Sequence, residues 1–399
     1  MPLDPKSRSD NSRGMAFSFN TAPAIRCGTG LSNRLAETCG NLLGKSVLFV
    51  TDAGLMKLGL PDAAIASLEA GGIKVTLFDA VEADPSLATL MSAVTRARDA
   101  GATGVVGFGG GSSMDVAKLA ALVAGSGEDI DEAWGVGNAK GPRLPLVLVP
   151  TTAGTGSEVT PVSIITVDED EKRGVSSPVI LPDIAVLDAA LTEGLPQATT
   201  AATGIDAMVH AIEAYTSTSA NNNPLSAMLA KQALDLLGAN IREACAPGAS
   251  LQIRENMLMG SMLAGMAFAN SPVAAVHALA YPIGGMFHIP HGLSNALILP
   301  EVMRFNATEC YGAYAELAPH VFCELADETS SQTRSAAFIE ALAALSADIG
   351  LPQRLRDVGI GKDDLPVMAE AAMKQTRLLV NNPREVSEAD ALAIYTAAW

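Results

Sequence analysis

Asp206 and His210 lie four residues apart in the segment TGIDAMVHAIEAY. In an amphipathic helix that spacing puts both side chains on one face, one turn apart. His277 and His291 follow in VHALAYPIGGMFHIPHG, on either side of a Pro/Gly-bearing turn that can bring two helix ends together. One carboxylate and three imidazoles make a mixed oxygen and nitrogen set suited to a divalent transition metal, Fe2+ or Zn2+. A lone histidine is more often a satisfied core residue, and an Asp/His pair alone is often only a helix hydrogen bond. Here three of the chain's five histidines belong to the set, which argues for a metal centre. His288 sits beside the cluster and reads equally as a pocket or a loop residue, whereas His320, in ELAPHVF, reads as structural.

A second chemistry is suggested upstream. Gly109-Gly110-Gly111-Ser112-Ser113-Met114-Asp115 follows the apolar run VVGF and opens a helical pattern. Glycines let backbone amides approach an anion closely, and a helix N-terminus supplies free N–H groups and partial positive charge, so a diphosphate is the natural occupant. The segment is not G-x-G-x-x-G, so any nucleotide site is a variant of that fingerprint, and a plain capped turn is the bland reading. Gly40–Ser46 imitates a P-loop but has too few spacer residues and precedes a strand, so it is set aside. Asp52 ends the first well-formed strand, where a carboxylate can accept from ribose hydroxyls and repel a 2′-phosphate, or simply cap a turn. The small, hydroxyl-rich turn from Pro150 to Thr160 lets a flat ring lie against backbone.

These residues need a scaffold. The runs at 46–52, 73–79, 103–111 and 144–152 are β-branched and short, and they alternate with Ala/Leu-periodic segments at 54–71, 86–100 and 112–125. That rhythm predicts a parallel sheet covered by helices, with ligands at the carboxyl ends of the strands. VSIITV at 162–167 and DIAVLD at 183–188 read as further strands of the same pattern. Beyond TEGLPQ at 192–197 the texture changes to long Ala/Leu/Met-rich helical stretches, which pack by burying apolar stripes on one another. The reading is a tail over 1–14, a Rossmann-like dinucleotide-binding α/β domain over 15–192 and an all-α metal- and substrate-binding domain over 193–399.

The 399 residues exceed what a single core usually supports, in keeping with two domains. Lys plus Arg number 26 against 43 Asp plus Glu, a net charge of −17 that repels nucleic acid and anionic membranes and leaves a small molecule as the expected partner. Cys27, Cys39, Cys245, Cys310 and Cys323 show no pairing pattern, and no secretory signal or long uncharged apolar run is seen, so a cytoplasmic location is expected.

Five segments, GGGSSMDVAK (109–118), PTTAGTGSEVT (150–160), SSPVILPDIAVLDAALTEGLP (176–196), TGIDAMVHAIEAYTS (203–217) and VHALAYPIGGMFHIPHGLSNALILP (276–300), resemble the iron-containing (group III) alcohol dehydrogenase family. The resemblance runs from about residue 16 to the C-terminus. It implies the dehydroquinate synthase-like fold, with Asp206, His210, His277 and His291 as metal ligands. It implies a diphosphate loop at Gly109, Gly110, Gly111 and Ser112 with Asp115 in the cofactor set, nicotinamide-proximal Thr151, Thr152 and Thr160, and an NAD-selecting Asp52. A basic residue near the nicotinamide ribose falls on Lys172 or Arg173, with Lys172 counted in the cofactor set. Phe268 corresponds to an aromatic residue of the substrate channel. Many members carry a proton-relaying histidine four residues after the third ligand; here that position is Tyr281, so Tyr281 or a water is the expected proton path beside the catalytic His277.

The expected activity is NAD-dependent, Fe2+- or Zn2+-assisted interconversion of a small alcohol or diol with its aldehyde or ketone, in a homodimer. The alternative from the same family is a hydroxyacid–oxoacid transhydrogenase that keeps its NAD. A non-redox, dehydroquinate-synthase-like lyase needs a basic phosphate pocket, and residues 256–300 contain no Lys or Arg. The same absence, with the Met- and Phe-rich composition of 257–268, argues against a strongly anionic substrate.

Overall fold

The computed structural model describes residues 16–167 and 171–399, and the expected tail at 1–14 lies outside the described residues. In chain order the α/β region runs β1 (Ala24–Cys27), α1 (Leu35–Leu43), β2 (Ser46–Val50), α2 (Ala53–Lys57), α3 (Asp62–Ala70), β3 (Lys74–Phe78), α4 (Leu87–Asp99), β4 (Gly104–Gly109), α5 (Gly111–Ser126), α6 (Ile130–Ala133), β5 (Gly135–Val136), β6 (Leu146–Pro150), β7 (Val162–Thr166), β8 (Lys172–Ser176) and β9 (Ile184–Leu187). Among the described residues the main sheet has the order β1-β9-β6-β4-β2-β3, and every pairing in it is parallel. The chain winds outward from β2 to β3 and then resumes on the other side at β4, so the topological switch point lies between β2 and β4. Ligands of open α/β sheets bind there, outside the carboxyl ends of the strands.

β2, β4, β6 and β9 are buried at every position, as expected of strands covered on both faces. Alternate residues feed two cores: Leu48, Val50, Val105 and Leu148 pack with Leu90 and Val94 of α4 and Leu119 of α5. Phe49, Val106, Phe108 and Val149 pack with Leu35 of α1 and Leu68 of α3 on the opposite face.

Three departures from the sequence reading have local causes. The periodic segment 54–71 is two helices, because Gly59 adopts φ +69° and Pro61 follows it, ending α2 before α3 begins. VSIITV does not join the parallel sheet; it forms the antiparallel ladder β7–β8, with β5 on the other edge of β8. Its burial alternates, unlike that of the uniformly buried β2, β4, β6 and β9, and only a single 3-10 turn (Ser157–Val159), with no α-helix, joins it to β6, too little for the crossover a parallel neighbour needs. β1, the short AIRC segment paired with β9, has no clear signature in the sequence.

The rest of the chain is helical: α7 (Gln197–Thr216), α8 (Pro224–Ala244), α9 (Leu251–Asn270), α10 (Ala275–Phe287), α11 (His291–Val321), α12 (Ser331–Asp348), α13 (Leu365–Met373), α14 (Thr376–Leu379) and α15 (Glu388–Ala398). These share one core, with α7 packed among α8, α9 and α11 and buried along most of its length. The fold is thus a Rossmann-like α/β region followed by an all-α region, as read from the sequence. No single helix among the described residues is long and apolar enough to cross a membrane.

The two regions meet backbone to backbone. Gly156, at φ +58° in the turn after β6, and Gly265 of α9 are so close that a Cβ on Gly156 would lie 2.5 Å from Gly265 Cα. That same turn carries Gly154, where a Cβ would lie 2.6 Å from Thr203 Cβ on α7. Glycine is required at this seam for close approach, and the seam sets how the helical region faces the strand ends.

Candidate active site

Asp206 and His210 project from the same face of α7, His277 from α10 and His291 from the first turn of α11. One donor atom from each lies within 4.8 Å of all the others. A single ion with bonds of about 2.0–2.2 Å closes that span with sub-ångström movement of the side chains. The ring nitrogens are already oriented. His210 Nδ1 bonds the Gly154 carbonyl (3.2 Å) and His277 Nδ1 bonds Glu213 Oε2 (2.6 Å), leaving each Nε2 for the centre. Asn295 Nδ2 donates to Asp206 Oδ1 (2.6 Å) and lies 3.3 Å from Nε2 of both His277 and His291, so four side chains converge on one small volume. The donor set therefore fits a divalent ion.

The protonation states suit this. Burial pushes the His210 imidazole down to about 3 against the opposing pull of Asp206, and burial likewise lowers His291. Burial pushes Asp206 up, but His210, His291, His277 and the Asn295 hydrogen bond outweigh it and hold the carboxyl below its ordinary value. A carboxylate beside imidazoles that burial disfavours protonating, at His210 and His291, is the ligand state a divalent ion requires. Phe268 of α9 stacks on His210 with centroids 4.3 Å apart, and His210 stacks on His277 at 4.7 Å. Glu213 and Asn295 do not stand out in the sequence, although each sits at helical spacing from a ligand: Glu213 three residues after His210, Asn295 four after His291. Because Glu213 also accepts the Val276 N–H (2.7 Å), it fixes the His277 ring and its backbone together. Glu213→Ala is expected to weaken metal affinity about 10- to 100-fold, read by competition with a chelator.

All four donors line a cavity of about 420 Å³ whose opposite wall belongs to the α/β region. Gly111, Ser112 and Asp115 of α5 reach this wall, as do Thr155, Ser157, Thr160 and Lys172. The N-cap of α5 is Gly110, so no side chain caps the helix and its first-turn amides are left for a ligand, the cradle a diphosphate needs. Asp52 stands at the end of β2, next to β4, where it caps α2 by accepting the Leu55 N–H (2.9 Å). Thr151 is buried behind the wall, its N–H bonded to Gly109 O, and Thr152 stands beside Gly110; Thr155 and Ser157 line the cavity instead and were not anticipated. Of the two basic candidates, Lys172 lines the cavity and pairs with Asp84, while Arg173 is exposed and bonds Glu171. Tyr281 also lines the cavity, its ring 6.1 Å from that of His291 and its hydroxyl accepting from Arg377 (3.1 Å). His288 ends α10 exposed, at φ +55°, a loop position; His320 pairs with Asp235 on the surface.

The absence of basic residues over 256–300 therefore did not describe the cavity: Lys172 and Arg377 enter it from elsewhere in the chain. Behind its wall lies Lys118, wholly buried, donating to Ser157 Oγ (2.8 Å), Thr160 Oγ1 (3.3 Å) and Val162 O (2.7 Å). Asp115 accepts from Ser157 Oγ and the Ile164 N–H, both at 2.9 Å, which ties α5 to the turn and to β7. Nearby Glu158 is buried, and its Oε1 has no hydrogen-bond partner. Burial pushes Glu158 up to about 7 and Lys118 down to about 8. From 4.5, its ordinary value, to about 7 the folded protein keeps a Glu158 proton that the unfolded chain has lost, so stability falls as pH rises through that window. From about 8 to 10.5 the folded protein lacks a Lys118 proton that the unfolded chain holds, so stability rises again. Glu158→Gln is expected to remove the first slope, on the order of 3 kcal/mol between pH 5 and 7.5, measured by chemical denaturation at both pH values.

An α/β region with an uncapped helix N-terminus at its switch point, facing an Asp/His₃ set on helices, defines a two-domain, metal-dependent oxidoreductase. A sequence profile described as iron-containing alcohol dehydrogenase matches residues 22–189, and one described as the Fe-containing alcohol dehydrogenase family, C-terminal, matches residues 200–399. Long-chain-alcohol dehydrogenase 1 of Geobacillus thermodenitrificans (strain NG80-2) is 41% identical over 383 residues, covering 94% of this chain and 95% of that protein. A crystal structure of 1,3-propanediol oxidoreductase superposes with a TM-score of 0.92 at 37% identity, over 96% of this chain and all (100%) of the other. Sulfoacetaldehyde reductase from Bifidobacterium kashiwanohense in complex with NAD+ superposes with a TM-score of 0.85 at 27% identity, over 96% and 99% of the two chains. The chain belongs to the iron-containing alcohol dehydrogenase family, and it is an NAD-dependent, metal-assisted oxidoreductase acting on alcohols and aldehydes.

Proposed function

We propose that this protein interconverts small primary alcohols or diols with their aldehydes, with iron(II) at Asp206, His210, His277 and His291 and zinc as the other ion the set accepts. The observation that carries this is the meeting, in one cavity, of that donor set with the uncapped first turn of α5. The similar structure named for 1,3-propanediol oxidoreduction supports the small substrate range. In the proposed division, residues 15–192 hold the nucleotide through Gly109, Gly110, Gly111, Ser112, Asp115 and Asp52, and residues 193–399 hold the metal and substrate. A homodimer in the cytoplasm completes the reading, in keeping with the free cysteines; size-exclusion chromatography with light scattering tests the dimer.

When bound, the ion supplies Lewis acidity toward the substrate oxygen, and the nicotinamide supplies or accepts hydride. Glu213 and the Gly154 carbonyl hold two imidazoles in the required tautomer and orientation. Phe268, stacked on His210, closes one side of the centre with an apolar ring and excludes water there. Thr160 and Ser157, fixed from behind by Lys118, hold hydroxyls on the nucleotide wall, and Lys172 holds a positive charge beside them. The Tyr281 hydroxyl, held by Arg377 within the cavity, is placed to pass the alcohol proton outward in the position the family's usual histidine leaves empty.

The testing experiment follows NADH oxidation on addition of butanal, 3-hydroxypropanal and longer aldehydes to metal-loaded protein. Stoichiometric, multiple-turnover NADH consumption is expected. Hydride exchange between a 4-hydroxy acid and a 2-oxo acid without net NADH consumption would assign the transhydrogenase reaction instead.

A further inference from the structure

Arg377 gives the cavity a feature that an alcohol, an aldehyde and a nicotinamide leave unexplained. It comes from α14, more than eighty residues after the last metal ligand, and it lines the cavity together with the donor set. Among the described residues no carboxylate pairs with it, whereas the cavity's other cation, Lys172, is paired with Asp84. In a chain of net charge −17, an arginine placed at a cavity mouth with no acidic partner is a counter-charge for something that enters. The backbone is anchored where the Arg377 carbonyl accepts from Asn381 Nδ2 (3.0 Å) and the next residue, Leu378, is buried, while the exposed guanidinium donates to Tyr281 Oη (3.1 Å).

The geometry also limits the reach required. The guanidinium carbon lies 6.0 Å from the Tyr281 ring centroid, and that ring lies 6.1 Å from the His291 ring. The guanidinium therefore lies within about 12 Å of the His291 ring, close enough for a short aldehyde with a terminal carboxylate to reach from the metal centre to it. Phe268, Ala269, Pro272, Val273 and Leu378 give the cavity that holds both ends an apolar lining that suits methylenes. A guanidinium's fork matches a carboxylate in a way that a lysine ammonium does not.

We infer that the preferred substrates are short aldehydes carrying a terminal carboxylate, with Arg377 as the residue that selects them. This rests on the aldehyde-reducing reading above and narrows its substrate class. Because Arg377 also holds the Tyr281 hydroxyl, its loss is expected to lower kcat for charged and uncharged aldehydes alike, and its contact with the unreactive end of the substrate is read in KM and in the ratio between the two.

The test compares 4-oxobutanoate with butanal, which has the same carbon chain and no charge, in metal-loaded protein with NADH. The wild type is expected to favour 4-oxobutanoate by about tenfold or more in kcat/KM. In Arg377→Gln the ratio of the two kcat/KM values is expected to fall about 10- to 30-fold through a raised KM for the carboxylate-bearing aldehyde, a range that allows for the solvent exposure of the guanidinium. Arg377→Lys is expected to restore part of it. A merely structural role would lower both substrates together and leave the ratio unchanged, and that result overturns the inference, as does an Arg377→Gln defect confined to NADH binding. Good turnover of butanal with poor turnover of 4-oxobutanoate in the wild type overturns the carboxylate assignment alone. Absence of NADH oxidation with every aldehyde overturns the proposed reaction and the inference with it.

Discussion

His277→Ala is expected to leave the protein folded but without its metal, and to lower kcat/KM for aldehyde reduction by about a thousandfold or more. His277 is the hub of the centre: its Nδ1 is anchored by Glu213, its ring stacks on His210, and its Nε2 is one of the four convergent donors. Removing it leaves three ligands and a buried Glu213 carboxylate with one partner fewer. Loss of Lewis-acid stabilisation is worth several kcal/mol in the transition state, and each 1.4 kcal/mol is about a factor of ten in rate. Elemental analysis and steady-state kinetics on the same preparation check both halves. The helical core around α7, α8 and α9 does not depend on this ring, so circular dichroism is expected to match the wild type.

Gly265→Ala is expected to produce the second largest effect, and its sign is diagnostic. In an ordinary helix interior, replacing glycine with alanine stabilises by about 1 kcal/mol. Here the added Cβ would lie 2.8 Å from Gly156 Cα and 3.0 Å from the Gly156 carbonyl oxygen, both backbone atoms that cannot rotate away. Helix α9 must retreat from the turn after β6, and Phe268, one turn further along, retreats with it from His210. A loss of about 3 kcal/mol by denaturation is expected, at the upper end for overpacking, together with a fall in kcat/KM of about a hundredfold, as ångström-scale misplacement costs. Stabilisation by this substitution would mean that the two regions are not welded where the structure joins them.

Much of this site was legible in the sequence because its signals are local. The metal set rests on helical spacing in α7 and on one Pro/Gly turn between α10 and α11, and the central strands β2 and β6 show as short, mostly apolar runs because both of their faces are covered. Glu213 and Asn295 were within reach of the same periodicity but carry no meaning until the fold aims them at His277 and Asp206. Tertiary facts were out of reach. Lys172 and Arg173 are neighbours in β8, and strand alternation, which sends one into the cavity and the other outward, depends on a pairing with β7 that looked like part of the parallel sheet. Arg377 sits in a short C-terminal helix with no motif, and only packing beside α10 carries it to the cavity.

The most direct measurement is a metal titration of chelator-stripped protein, kept anaerobic, followed by aldehyde-dependent NADH oxidation. Activity is expected to be absent from the stripped protein, to rise linearly with added Fe2+ and to saturate at one ion per chain, while Asp206→Ala neither binds the ion nor recovers. Full activity in the stripped protein, or unchanged binding and turnover in Asp206→Ala, would contradict the assignment of this centre as the seat of the reaction.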